Sequence, residues 1–247
     1  MTLYLIPNTL GNKNSFSLSL EISEIIPKLQ GLIAESEGGG RAFLRLFKVP
    51  CADVFPLAIL NKQNSLSYFN FLLEPLLKGE HWGLVSDAGL PCIADPGSLL
   101  VKFAREQGIT VKAFSGPCSI TMALMLSGFC GQQFVFFGYP PQKEKDKKKF
   151  FKKSEEESKK FRRAIVFIET PYRNKYTFLS LINILSLETS LSISCNLTLV
   201  DEYVNTLTIR QWRELDIEII SNMLVKKPAV FIIYSEDLKK LEKIKKT

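Results

Sequence analysis

The chain has 247 residues, 46% of them hydrophobic and 23% charged, with a formal net charge of +7. This composition is typical of a globular protein, and no apolar run approaches the ~18 residues of a transmembrane helix. The N-terminal residues lack a basic region and a cleavage site, so no signal peptide is expected. The five cysteines form no Cys-x-x-Cys pair, which argues against a disulfide framework and structural zinc. We therefore expect a cytoplasmic protein without a metal or a membrane contact.

Strands and helices are predicted to alternate in the first half of the chain. The predicted strands are Leu3–Ile6, Leu32–Glu35, Val54–Ile59, Trp82–Val85 and Val111–Phe114. The predicted helices are Gly40–Phe47, Leu66–Lys78, Gly97–Gln107 and Cys118–Ser127. This βαβ order predicts a mostly parallel sheet with helices on its faces.

The second half has a different pattern, with apolar strand-like runs and longer helical segments. The predicted strands are Phe134–Phe137, Ala164–Ile168, Leu191–Leu197 and Ala229–Tyr234, and the predicted helices are Tyr172–Leu185 and Ile209–Met223. We therefore expect two domains: an α/β domain over residues 1–115 and a mixed-sheet α+β domain over residues 116–247.

Residues 142–163 hold eleven Lys or Arg and five Asp or Glu, a net charge of +6. We interpret this segment as a helix on a surface arm, anchored by Phe150, Phe151 and Phe161. Such a bias favours contact with a phosphate backbone, and the alternative is a solvated helix of mixed charge.

Several common catalytic signatures are missing. The only histidine, His81, has no Gly-x-Ser-x-Gly elbow to accompany it, so a Ser-His-Asp triad is disfavoured. No Gly-x-Gly-x-x-Gly or P-loop motif is present, which disfavours nicotinamide enzymes and kinases. The glycine run 38–40 is predicted to be a flexible turn before a helix.

The most informative segment is the Asp87 loop (residues 86–97), which contains two aspartates, two glycines and two prolines between a strand and a helix. Glycine-bearing loops at the carboxyl ends of strands form small-molecule sites in α/β folds. The alternative is an ordinary turn with Asp95 as the helix cap and Pro96 in its first turn. The Gly116 turn (residues 114–118) also follows a predicted strand. We expect the two turns to face each other across a ligand cleft between the domains.

The order of the motifs resembles the tetrapyrrole methylase superfamily, and within it the ribosomal RNA small subunit methyltransferase I branch. Residues 3–11 are similar to the branch's LYIVPTPIGN, residues 86–97 to its SDAGTPxISDPG, and residues 114–120 to its LPGPCAAI. Residues 136–140 and 168–173 are similar to FxGFLP and YESPHR.

The resemblance implies a two-domain homodimeric methyltransferase that binds S-adenosylmethionine in the cleft. The residues that it assigns to the cofactor are Pro7, Asp87, Ala88, Gly89, Pro91, Ile93, Pro117, Cys118, Ser119, Leu197, Thr198, Pro228 and Ala229.

The chain departs from the branch at substrate-side positions. Residues 35–44 replace EDTRxTxxLL, residues 60–62 replace HNE, and residues 195–199 replace RELTK. The chain also stops before the C-terminal extension of the branch. The substrate is therefore less well defined than the cofactor.

A ribose 2′-hydroxyl is a weak nucleophile that a nearby proton acceptor would help, and the candidate acceptors are Asp87, Glu35 and Glu169. Of these, Glu35 and Glu169 are the candidate catalytic residues. The alternative for each is a helix cap or an ion pair with Arg41 or Arg173. The candidate substrate-binding residues are Arg41, Arg173, Lys147, Lys148 and Lys152.

Three functions remain open at this point. The first is S-adenosylmethionine-dependent methylation of ribosomal RNA, at a 2′-hydroxyl. The second is methylation of a tetrapyrrole of the uroporphyrinogen or precorrin type. The third is RNA binding without catalysis by a protein of the same fold.

Overall fold

The computed structural model describes residues 1–12, 14–60 and 66–235. The chain divides after Cys118 into two compact units, Met1–Cys118 and Ser119–Thr247, close to the predicted boundary between residues 115 and 116. Residues 61 and 62, which fall within the HNE-like position, lie outside the described residues. Within the described residues, no helix combines the length and the hydropathy needed to cross a membrane.

The first unit contains a five-stranded parallel sheet, which confirms the predicted α/β architecture. Its strands are β1 (Thr2–Leu5), β2 (Gly31–Ala34), β3 (Leu57–Ile59), β4 (His81–Val85) and β5 (Thr110–Ala113), in the order β3-β2-β4-β1-β5. Its helices are α1 (Leu20–Ile25), a 3₁₀ turn (Ile26–Lys28), α2 (Glu37–Leu46), α3 (Leu66–Leu77) and α4 (Ser98–Glu106).

The three central strands β1, β2 and β4 are buried on both faces of this sheet. Alternate residues of a strand point to opposite faces, so each strand contributes to two apolar clusters. Leu3 and Ile33 lie in one apolar cluster, whereas Tyr4 and Leu32 lie in the other. The near-continuous apolar runs of the sequence are explained by this double burial.

The second unit contains the expected mixed sheet, in the order β6-β7-β10-β8-β9. The strands are β6 (Phe134–Phe136), β7 (Ala164–Glu169), β8 (Ser190–Cys195), β9 (Tyr203–Thr208) and β10 (Ala229–Tyr234). The β6–β7 pair is parallel and the other pairs are antiparallel. The helices are α5 (Ser119–Ser127), α6 (Glu144–Phe161), α7 (Asn174–Ile184), α8 (Ile209–Glu214) and α9 (Ile217–Met223).

Two predictions in the second unit are wrong. Strand β9 was not predicted, and the helix predicted over Ile209–Met223 is two helices. Leu215 is extended (ψ 165°), and the Asp216 side chain accepts a hydrogen bond from the amide of Ile219, which starts α9. An aspartate placed one residue before an apolar run is a helix start signal.

Helix α6 is not a surface arm, because it packs on the second sheet. Phe151 is fully buried, with its ring centroid 5.5 Å from that of Phe167. Ser158 accepts a hydrogen bond from the amide of Ser235, 2.9 Å away. Phe161, one of the three predicted anchors, is 47% exposed.

Candidate ligand-binding site

Three loops meet at the carboxyl edge of the first sheet, after the neighbouring strands β4, β1 and β5. The Pro7 loop (residues 6–12) pairs with the Asp87 loop through two backbone hydrogen bonds. The amide of Asn8 donates to the carbonyl of Gly89 over 2.8 Å, and the amide of Gly89 donates to the carbonyl of Thr9 over 3.2 Å. These bonds hold the two loops in a fixed arrangement.

The side chain of Asn8 ties the same two loops together. Its amide group donates to the carbonyls of Ser86 (3.0 Å) and Asp87 (3.1 Å), and its oxygen accepts from the amide of Thr9 (2.8 Å). Asn8 is 7% exposed, so these bonds replace water. Sequence reasoning missed this residue; the signal was a lone amide side chain directly after a buried strand and a proline.

The Gly116 turn packs against both of the other loops. A Cβ atom at Gly116 would lie 2.2 Å from the Cβ of Pro7, so only glycine fits there. Gly89 adopts φ +71°, and a Cβ atom there would lie 3.6 Å from the carbonyl oxygen of Pro117. The turns near residues 90 and 117 are therefore neighbours within the first unit.

The carboxylate of Asp87 lies at the start of α2. Its Oδ1 accepts a hydrogen bond from the hydroxyl of Ser36 (2.8 Å), and that hydroxyl accepts from the amide of Gly39 (3.0 Å). Asp87 is nevertheless exposed, so the carboxylate remains open to a ligand. The positive end of the helix dipole stabilises a negative charge at this position.

The glycine run is part of α2, so the predicted flexible turn over residues 38–40 is wrong. The helix begins at Glu37 with Ser36 as its cap. A Cβ atom at Gly39 would lie 1.9 Å from Oδ1 of Asp87, and one at Gly40 would lie 2.8 Å from the Cβ of Ala34. These glycines let the helix approach the sheet and the Asp87 carboxylate.

The rest of the Asp87 loop is held in an unusual conformation. Cys92 and Ala94 adopt φ values of 70° and 66°, and Gly97 adopts 135°. Left-handed non-glycine residues cluster at binding and catalytic sites. Helix α4 begins at Ser98 with Gly97 as its cap residue, so the alternative with an Asp95 cap is wrong.

The Asp87 loop contains one cysteine, Cys92, whose thiol has low reactivity. Burial, and to a smaller extent the nearby Asp95 carboxylate, raise the pKa of the Cys92 thiol to about 11. A thiol with this pKa is protonated at neutral pH and is a poor nucleophile. Among the described residues, no three His, Cys, Asp or Glu side chains are grouped so that they could hold a metal ion.

Four of the predicted cofactor residues, Leu197, Thr198, Pro228 and Ala229, form a cluster in the second unit. The amide of Asn196 donates to the carbonyl of Pro228 (3.1 Å), which brings residues 197–198 beside residues 228–229. The side chains of Lys227 and Asn196 both bind the Asp201 carboxylate, and these hydrogen bonds lower the pKa of that carboxyl. Sequence reasoning missed Asp201, which orders this cluster.

Glu169 is an ion-pair partner in the structure. Its side chain is fully buried, and Oε1 accepts from Arg173 Nε (2.8 Å) and Nη2 (2.6 Å). Oε1 also accepts from the amide of Thr170, and Oε2 accepts from the hydroxyl of Thr177. Both carboxylate oxygens are engaged, which argues against Glu169 as a proton acceptor, and two of the three guanidinium nitrogens of Arg173 are committed to Oε1. The structure has Glu169 in the ion pair with Arg173 that was the alternative to a catalytic role.

Two other expected substrate contacts have structural partners. Arg41 Nη1 donates to the carbonyls of Ala52 (2.8 Å) and Phe55 (2.7 Å), and so holds the turn before β3. Lys147 was expected to contact the substrate, but it is buried, with 5% of its surface exposed and its Nζ 3.6 Å from Oε2 of Glu144. Glu35, at the end of β2, is half-buried and remains a candidate.

The exposed cofactor-side residues of the first unit lie around Asp87. Ala88 is exposed and Ile93 is 47% exposed, whereas Pro7 and Pro91 are buried. Lys148 and Lys152, the remaining expected substrate contacts, are exposed on α6.

No family model matches the chain. Among curated proteins, the chain is 36% identical over 130 residues to the ribosomal RNA small subunit methyltransferase I of Thermotoga maritima, which covers 53% of the chain and 56% of that protein. It is 30% identical over 183 residues to the Bacillus subtilis protein of the same name (74% and 59%). It is 28% identical over 209 residues to that of Vibrio cholerae (85% and 69%). The chain thus spans little more than half the length of the first two of these relatives.

Solved structures share the fold. Diphthine synthase superposes with a TM-score of 0.69 at 12% identity, covering 95% of the chain and 90% of that structure. The methyltransferase CobJ superposes with a TM-score of 0.62 at 13% identity (95% and 98%). Such low identities establish the architecture and leave the activity open. The family resemblance indicated by the motifs is therefore confirmed: the chain is similar to the ribosomal RNA small subunit methyltransferases I and has the two-domain tetrapyrrole methylase fold.

Proposed function

We propose that this protein is a methyltransferase that uses S-adenosylmethionine to methylate a ribose 2′-hydroxyl of small-subunit ribosomal RNA. The observation that carries the proposal is the arrangement at the carboxyl edge of the first sheet. There the Pro7 and Asp87 loops are bonded together and expose the Asp87 carboxylate at the start of α2. These loops hold two of the motifs, residues 3–11 and 86–97, that resemble those of the ribosomal RNA small subunit methyltransferase I branch.

The residues at this edge suit a cationic nucleoside. The prolines of the Asp87 loop remove backbone donors, so the loop offers carbonyl oxygens more than amides. The exposed Asp87 carboxylate can accept hydrogen bonds from hydroxyl or ammonium groups, and the exposed Ile93 offers apolar contact. When bound, S-adenosylmethionine supplies an electrophilic methyl group on a sulfonium centre.

The chain's own contribution is positioning. Methyl transfer from a sulfonium needs an in-line approach and removal of water, and it needs neither a metal nor a covalent nucleophile. The rigid contacts of Asn8 and Gly116 hold the loops in place before the ligand arrives, which lowers the entropy lost on binding. Glu35 is the acid that we propose as the acceptor of the hydroxyl proton, because the structure does not commit it to a buried network as it does Glu169.

Further parts of the proposal rest on the resemblance and on composition. They are a homodimer, a cytoplasmic location, a small-subunit RNA partner and a reaction without metal. The role of Leu197, Thr198, Pro228 and Ala229 on the adenosine side also stays a prediction.

Calorimetric titration with S-adenosylmethionine tests the cofactor site. We expect Asp87→Ala to abolish measurable binding, because it removes the exposed acceptor. Ser36→Ala is the matched control: it removes the hydrogen bond to Asp87 and the α2 cap but leaves the carboxylate. We expect this variant to be less stable by about 1 kcal/mol and to bind the cofactor. Unchanged affinity in Asp87→Ala, or equal loss in both variants, would contradict the assignment of Asp87.

A further inference from the structure

Helix α6 has two chemically different faces. The inward face carries Phe151, Ser154 and Ser158, which are buried against the second sheet, and also the buried Lys147. The apolar contacts of the helix are therefore already satisfied within the unit. The outward face is available to solvent along the full 18 residues of the helix, a length of about 27 Å.

Three of the five acidic side chains in residues 142–163 make hydrogen bonds or ion pairs that hold helix α6 in place. Glu155 accepts from the amide of Ser186 (2.7 Å) and from the hydroxyl of Thr189. Glu157 pairs with Arg163 at the C-terminal end. Glu144 accepts from the hydroxyl of Ser180 (3.2 Å) and contacts the buried Lys147.

Most of the basic residues, by contrast, are exposed. The exposed cations from residue 145 to residue 162 are Lys145, Lys148, Lys149, Lys152, Lys153, Lys159, Lys160 and Arg162. The exposed acids over the same residues are Asp146 and Glu156. The exposed charged side chains from residue 145 to residue 162 are therefore eight positive and two negative, and the cations form two groups, residues 145–153 and residues 159–162.

We propose that this basic ridge, the outward face of α6, binds the phosphate backbone of RNA. The identity of the RNA rests on the proposed function, whereas the preference for a polyanion rests on the excess of exposed positive side chains over exposed acids. Helices that lie on membranes insert an apolar face between the lipids. Helix α6 has no apolar face to insert, because Phe151 is buried in the core. Lysines recognise phosphates as point charges without reading base sequence, so the ridge orients the RNA and does not select the nucleotide.

An aromatic side chain marks one end of the ridge. Phe161 is 47% exposed, with Nζ of Lys160 5.1 Å and Cζ of Arg163 4.7 Å from its ring centroid. An exposed ring beside cations is the combination that binds unpaired nucleotides by stacking and charge. This end of the ridge fits a single-stranded or looped segment better than a regular duplex.

The test compares two triple variants that lower the net charge equally. One removes ridge cations (Lys148→Gln, Lys152→Gln and Lys159→Gln), and the control removes exposed lysines of the first unit (Lys28→Gln, Lys102→Gln and Lys112→Gln). Binding to deproteinised small-subunit ribosomal RNA is measured by fluorescence anisotropy over a series of KCl concentrations. The slope of log affinity against log salt reports the number of phosphate contacts.

We expect the ridge variant to lose about 2 to 3 units of slope and the control variant to lose less than about 1. Circular dichroism should show the same helix content in both. Equal losses in the two variants, or an unchanged slope in the ridge variant, would overturn the proposal. So would binding of the wild-type protein to anionic lipid vesicles in preference to the RNA.

A parallel calorimetric titration with S-adenosylmethionine separates this inference from the proposed function. The ridge variant should bind the cofactor as the wild-type protein does. If the wild-type protein binds RNA through the ridge but does not bind S-adenosylmethionine, the methyltransferase proposal fails and the ridge stands. If the wild-type protein binds the cofactor but the ridge variant binds RNA as tightly as the wild type, only the ridge proposal fails.

Discussion

The amide nitrogen of Asn8 lies 2.8 Å from the carbonyl oxygen of Gly89, and the Asn8 side chain donates to the carbonyls of Ser86 and Asp87. One buried residue after β1 thereby fixes the loop that follows β4. Parallel strands bring their carboxyl ends to one edge, but this asparagine sets the relative position of the loops there.

Replacement of Asn8 by alanine should therefore destabilise the first unit and weaken its ligand site. The change leaves the buried carbonyl of Ser86 and the buried amide of Thr9 without their partner, and removes a part-buried bond to the carbonyl of Asp87. Each unsatisfied buried group costs about 1–3 kcal/mol. We expect a loss of about 2–4 kcal/mol in urea denaturation. Asn14→Ala, at an exposed asparagine whose side chain accepts from the amide of Phe16 in the same turn, should change stability by less than about 1 kcal/mol. Similar small losses in both variants would contradict the role of Asn8.

Adjacent glycines of α2 should respond in opposite directions to the same substitution. Gly38 is exposed, and a Cβ atom there would meet nothing within 4 Å, so Gly38→Ala should stabilise the helix by about 0.5–1 kcal/mol. At Gly39 the added methyl would collide with the Asp87 carboxylate. We expect Gly39→Ala to be destabilising and to weaken S-adenosylmethionine binding, as measured by thermal unfolding and calorimetry. A stabilising effect at both positions would show that α2 does not approach Asp87 this closely.

Disruption of the Glu169–Arg173 pair should lower the stability of the protein and should not directly affect the methyl-transfer step. Glu169→Gln leaves Arg173 without its partner charge in a site where the carboxylate is fully buried, and such losses reach about 3–5 kcal/mol. The matched control is Asp53→Asn in the exposed Arg45–Asp53 pair, which should leave the free energy of unfolding nearly unchanged. A stable Glu169→Gln variant with a large loss of turnover would instead restore the catalytic role.

Cys92 should resist alkylation while the exposed Cys51 and Cys130 react. Burial and the Asp95 carboxylate raise the pKa of the Cys92 thiol from its ordinary value of 9.0 to about 11. The folded state therefore favours the neutral thiol, and its contribution to stability is full below pH 9 and is lost as the pH rises from 9 towards 11. Iodoacetamide labelling followed by mass spectrometry at pH 7 to 11 checks this. Labelling of Cys92 at pH 8 as fast as that of Cys51 would contradict it.

Local patterns in the sequence predicted most of the elements, because apolar periodicity and turn residues act over short distances. The Asp87 loop and the parallel sheet were recognisable in this way. The glycine run was misread because the contacts that favour glycine at Gly39 and Gly40 come from Asp87 and Leu57, which are distant in sequence. Lys147 was misread for a related reason: composition shows how many lysines a helix has, but only packing on the second sheet decides which one is buried.

Transfer of labelled methyl groups tests the central claim most directly. The protein is incubated with S-adenosylmethionine labelled on the methyl group and with small ribosomal subunits from cells that lack the endogenous modification. We expect the label on a ribose 2′-oxygen, where methylation makes the adjoining phosphodiester bond resistant to alkaline hydrolysis. We expect no label with Asp87→Ala. A wild-type protein that binds the cofactor but labels no RNA, or that labels a uroporphyrinogen instead, would contradict the account.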